Sequence, residues 1–104
     1  MTRKHPNRRM LIPLNAQERE ALRVLARGGS LGDALRRLVQ VGLTEGVVDL
    51  GAVRERAAPS RLPLQLPRQA RRMVERLAQR EGSTPELVVW ALLRQALARA
   101  RLER

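Results

Sequence analysis

Two stretches of this chain, residues 9–43 and 61–97, pass through the same succession of signals, and an internal repeat limits the fold more than any single motif does. Each opens on a short alternating segment, Arg9-Met10-Leu11-Ile12-Pro13-Leu14 and Arg61-Leu62-Pro63-Leu64-Gln65-Leu66. At strand period Met10, Ile12 and Leu14 share one face, as do Leu62, Leu64 and Leu66. Leu14 corresponds to Leu66 at an offset of 52 residues. A helix start follows in both copies, with Asn15 as N-cap in the first and Pro67 in the first turn of the second. Helical spacing then puts Leu22, Leu25 and Ala26 in one apolar stripe and Val74, Leu77 and Ala78 in its counterpart, with Ala21 and Met73 beside them.

Gly28-Gly29-Ser30 and Gly82-Ser83-Thr84-Pro85 break the two first helices. Second helices start at Ser30, with Asp33 three residues on as a short-armed capping box, and at Ser83 or Thr84, where Pro85 and Glu86 fit the first turn. The offset is now 54, so the first copy's turn is expected to be two residues shorter. Ala34, Leu35, Leu38 and Leu43 align with Val88, Val89, Leu92 and Leu97. Thr44 to Ser60, with Gly46, Gly51 and Pro59, reads as a connector around a short helix near Asp49 to Arg56.

A lone strand leaves its backbone groups unpaired, and a unit of about 40 residues buries too little apolar surface to stand alone. The two copies therefore need each other. The simplest solution is a mainly α fold in which the two strands pair antiparallel, with Met10, Ile12, Leu14, Leu62, Leu64 and Leu66 packed on four helices. Pro13 and Pro63 support it, because both fall on the outward parity, where a two-stranded ribbon tolerates a missing N–H. This register sets Leu11 opposite Pro63, Arg9 opposite Gln65 and Pro13 opposite Arg61.

The order strand, helix, Gly-turn, helix resembles the ribbon-helix-helix superfamily of DNA-binding proteins, the group that includes the Arc and MetJ repressors. Residues 61–97 match it through the strand, the Leu-Pro entry to the first helix, the Gly82-Ser83 turn and the second helix; residues 9–43 match with a shortened turn. Two units in one chain resemble the tandem arrangement of TraY-type conjugation proteins. The resemblance implies that units 9–43 and 61–104 co-fold as an intramolecular pseudo-dimer whose ribbon enters the major groove.

Composition narrows the function in the same direction. The chain has 21 Lys and Arg against 10 Asp and Glu, a net charge of +11, which favours a polyanionic partner through counterion release. Arg-rich genome composition is the competing source of that charge. There is no Cys, and His5 is the one His, so no Cys/His zinc site or thiol nucleophile can be built. Three Ser, two Asp and no Tyr supply no convincing nucleophile and base pair, so an enzyme is not expected. One Trp and no Phe or Tyr cannot form a base-stacking platform, which leaves duplex DNA rather than single strands. Gly28 to Gly32 follows a helix and lacks a Lys, so no nucleotide cofactor is expected. The longest apolar run, Leu87 to Leu93, is far shorter than the roughly 20 residues of a membrane span. A cytoplasmic, nucleoid-associated protein is the expectation.

The outward ribbon positions are Arg9, Leu11 and Pro13 on one strand and Arg61, Pro63 and Gln65 on the other. The resemblance implies that side chains here touch base edges. Arg suits guanine and Gln adenine, and Leu11 and the prolines suit thymine methyls. Unlike strands further imply an unlike pair of half-sites. Free N–H groups at the second helix starts make Ser30, Leu31, Ser83 and Thr84 candidate phosphate contacts, although ordinary capping explains each hydroxyl equally well. Arg68, with Arg71 and Arg72 behind it, opposes its own helix dipole and gains most from an external anion. Arg3, Lys4 and Arg8 form a basic arm suited to phosphates or a minor groove, or a solvated tail. Trp90 lies in a run that covers a whole helix circumference and serves either the core or self-association. The combined expectation is a duplex-DNA-binding transcriptional repressor. A plasmid-transfer accessory factor and an antitoxin-like protein-interaction module are the alternatives.

Overall fold

Alternation decides the strands. A computed structural model describes residues 9–45 and 60–102, with side chains through 99, and places the first strand, β1, at Met10–Leu14 and the second, β2, at Ser60–Leu64. Met10, Ile12 and Leu14 are buried, as are Leu62 and Leu64, while Leu11, Arg61 and Pro63 are exposed. The strands pair antiparallel in the register the prolines require: Met10 with Leu64, Leu11 with Pro63, Ile12 with Leu62, Pro13 with Arg61 and Leu14 with Ser60. Antiparallel pairs alternate between hydrogen-bonded and open, so both prolines occupy open pairs, where an N–H would point away from the partner. Leu66 is buried as expected but lies past the end of β2, and Arg9 and Gln65 stand just outside the last pair, Met10 with Leu64.

Four helices complete the chain: α1 at Ala16–Ala26, α2 at Leu31–Glu45, α3 at Arg68–Glu81 and α4 at Pro85–Leu102. Asn15 caps α1 in a full capping box, its Oδ1 accepting from the Glu18 N–H at 2.7 Å while Glu18 Oε1 accepts from the Asn15 N–H at 2.9 Å. Ser30 caps α2 by accepting from the Asp33 N–H at 2.9 Å. Thr84, not Ser83, caps α4, its Oγ1 accepting from the Leu87 N–H at 3.2 Å. Pro67 sits at the N-cap of α3, one position before the expected first turn, and supplies no side-chain cap. Gly82 closes α3 at φ 66°, with the Ser83 N–H donating to the Ala78 carbonyl at 2.8 Å, a Schellman-type ending.

The two-residue difference between the copies lies in the first helix, not in the turn. Helix α1 has 11 residues and α3 has 14, whereas residues 27–30 make the first link longer than residues 82–84 make the second. Arg27 takes the left-handed conformation at φ 51° and Gly28 continues it at φ 86°, which stops α1 where α3 runs on. The shorter helix also corrects the stripe. Leu22 and Ala26 bury against α2, but Leu25 remains 39% exposed where its counterpart Leu77 is buried.

Each second helix packs against the strand of the other half, α2 on β2 and α4 on β1, and α2 and α4 also pack on each other. Val88 to Leu93 are all buried because α4 is enclosed by α2, α3 and β1. That accounts for the apolar run and, of its two expected roles, places it in the core. Trp90 is 3% exposed and its indole N–H donates to Glu18 Oε2 at 2.9 Å, so it belongs to the core and offers no assembly patch.

Where α2 meets α4, a Cβ on Gly42 would lie 2.8 Å from Leu92 Cδ2 and 3.5 Å from its Cγ. Leu92 is buried and has little room to yield. Gly42→Ala gains about 1 kcal/mol of helix propensity, which the contact offsets. Gly42→Val adds more bulk and a β-branch and is expected to destabilise by about 2 kcal/mol, read as a lower urea midpoint at constant slope. A neutral Gly42→Val would mean that the helices do not approach this closely.

Candidate nucleic-acid interface

The exposed face of the ribbon brings together the side chains that alternation assigns to it. Arg9, Arg61, Pro63 and Gln65 are exposed, Leu11 is 48% exposed and Pro13 is half-buried. With Leu11 opposite Pro63 at the centre, Pro13 and Arg61 occupy one end, and Arg9 and Gln65 flank the other. The centre is apolar, and each end carries one arginine.

Two arginines that sequence reasoning left unassigned hold these ends. Arg36 Nε donates to the Gln65 carbonyl at 2.9 Å, and its guanidinium also pairs with Asp33. At the opposite end Arg19 Nε donates to Ser60 Oγ at 3.2 Å, and that hydroxyl donates to the Leu14 carbonyl at 3.3 Å. The one clue in the sequence is that Arg36 aligns with Trp90 in the repeat, a charge in one copy against an aromatic in the other. The hydrogen bond and charge of Arg36 hold the Asp33 carboxyl below the usual carboxylate range. Arg99 acts likewise on Glu45, tying the end of α2 to α4.

The second-helix starts differ. At α2, Ser30 Oγ takes the Asp33 N–H and the Ser30 carbonyl takes the Ala34 N–H at 3.2 Å, and among the described residues nothing accepts from the Leu31 and Gly32 N–H groups. A Cβ on Gly32 would lie 3.8 Å from the Pro63 carbonyl oxygen, which sets this helix start beside the ribbon. At α4 the Ser83 N–H is committed to Ala78, Thr84 caps Leu87 and Pro85 has no N–H; each second helix carries one acid in its first turn, Asp33 in α2 and Glu86 in α4. An anion is therefore better accommodated at Ser30 and Leu31 than at Ser83 and Thr84. Arg68 is exposed at the start of α3, a helix with no acid in its first turn and no side-chain cap. Arg71 pairs with Glu75 at 3.2 Å. The basic arm, Arg3, Lys4 and Arg8, and the connector helix near Asp49 to Arg56 lie outside the described residues.

Among the described residues no three His, Cys, Asp or Glu side chains gather in a metal-binding group, and no helix is long and apolar enough to cross a membrane. No family model, curated protein or solved structure matches the chain.

Proposed function

We propose that the chain is a tandem ribbon-helix-helix protein, folded as an intramolecular pseudo-dimer, which binds duplex DNA by inserting the β1–β2 ribbon into the major groove. Its role is binding rather than catalysis. It acts on the nucleoid as a transcriptional repressor, for which occupancy of a promoter suffices.

One observation carries the reading: the ribbon has a wholly apolar buried face and an exposed face that offers Arg9, Arg61 and Gln65 around Leu11 and Pro63. A two-stranded ribbon fits the major groove, where Arg reads guanine and Gln reads adenine, each contact discriminating by about 1–3 kcal/mol. The cross-packing of α2 on β2 and α4 on β1 supports the pseudo-dimer, since each half then supplies the seat for the other's strand. The +11 charge favours a polyanion, and Ser30, Leu31 and Arg68, at the starts of α2 and α3, are the phosphate contacts this reading assigns.

Selection from a randomised duplex library at about 0.15 M salt tests this, because screening then weakens purely electrostatic binding. The wild type is expected to yield a sequence motif that the Arg61→Ala/Gln65→Ala double variant loses. Duplexes recovered without a motif would mean backbone binding alone. No recovery would overturn the DNA reading in favour of a protein partner.

A further inference from the structure

The two ends of the ribbon differ in one outward side chain. At the offset of 52, Arg9 corresponds to Arg61, Leu11 to Pro63 and Pro13 to Gln65. The pair Leu11 with Pro63 is thus matched to itself, and it marks the centre about which the two ends correspond. Arginine stands at both ends, Arg9 at one and Arg61 at the other, and both are exposed. The remaining outward position is Gln65 at the Arg9 end and Pro13 at the Arg61 end. Proline has no side-chain donor or acceptor, so only one end carries an amide able to make a bidentate contact.

The two ends also differ in what their arginine anchors hold. Arg36 holds the Gln65 carbonyl at 2.9 Å, so the Gln65 side chain projects from an anchored backbone. Trp90, which aligns with Arg36 in the second unit, is buried and donates instead to Glu18. Arg36 is in this sense a positioning residue for Gln65; at the other end Arg19 reaches Ser60 and not an outward ribbon residue.

We infer that the ribbon recognises a duplex with two unlike half-sites: guanine contacted by arginine in both, adenine contacted by Gln65 in only one, and thymine methyls at the centre under Leu11 and Pro63. This rests on the reading of the ribbon as the groove-binding element. The chain is therefore oriented on its DNA, with the Gln65 end always on the same half-site.

Three proteins put through the duplex selection test this: wild type, Gln65→Ala and Pro13→Gln. Pro13→Gln alters an outward position in an open pair, leaving the buried face and the paired N–H groups of β1 intact. The expected wild-type motif is asymmetric. Gln65→Ala should erase the adenine preference in one half-site only and weaken binding to the selected duplex about tenfold. Pro13→Gln should add that preference to the other half and move the motif towards a palindrome. A palindromic wild-type motif, as expected if β1 paired with β1 of a second chain, would overturn the inference and leave the DNA reading standing. An asymmetric motif that Gln65→Ala leaves unchanged would also overturn it. Recovery of no motif would overturn the groove-binding reading, and the inference with it.

Discussion

Moving a proline by one position along β1 is expected to separate a nearly unaffected protein from a strongly destabilised one. Leu11→Pro places the ring in an open pair opposite Pro63, on a residue already 48% exposed, and should cost about 1 kcal/mol or less. Ile12→Pro removes an N–H from a pair that must be hydrogen-bonded and truncates a side chain with no exposure at all. Loss of the buried Ile contributes about 2–5 kcal/mol and the ladder bond about 1 more. Domains of this size have about 5–15 kcal/mol in total, so Ile12→Pro should remove a large share of the stability, read by circular dichroism as a much lower urea midpoint. Equal losses from the two substitutions would contradict the register of the ribbon.

The second large effect is expected at Trp90. Trp90→Ala should destabilise by about 3–5 kcal/mol, because it empties the centre of a helix enclosed by α2, α3 and β1. It also removes the indole N–H from Glu18 Oε2, and Glu18 is the buried charged residue whose other oxygen closes the capping box of α1. Trp90→Phe keeps most of the bulk and loses the N–H, so about 2 kcal/mol is expected, in line with a hydrogen bond to a charged group. Measured in a Glu18→Gln background, the Trp90→Phe penalty should shrink by about 1 kcal/mol, the signature of direct coupling. Additive penalties in urea titrations would show that the two side chains act independently.

What the sequence made legible, and what it hid, follows from the range of the interactions. The ribbon register could be read because two prolines and six alternating apolar residues each exclude the neighbouring register, and all of these constraints are local. Asn15 and Ser30 could be read as caps for the same reason. Glu18 was missed: at helix position N3 an acid is unremarkable, and its burial depends on Trp90, 72 residues away. The missing two residues were assigned to the turn because Gly28-Gly29-Ser30 looks like one, whereas the left-handed residue that ends α1 is Arg27, a type that seldom adopts that conformation. Arg36 meets the Gln65 carbonyl 29 residues away, a contact that no local pattern around Arg36 signals.

The Glu18–Trp90 hydrogen bond also bears on which halves can be partners. In the repeat Glu18 aligns with Ala70 and Trp90 with Arg36, so the bond exists only between a first half and a second half. Two second halves brought together in the proposed arrangement would set Trp90 against Ala70 and deny the indole that carboxylate. Two first halves would set Arg36 against Glu18, an ion pair where an aromatic now fills the core, and a buried ion pair recovers its desolvation cost poorly. The hydrogen bond thus acts as a mating code: it is open only to unlike halves, and in the proposed pseudo-dimer one chain supplies both.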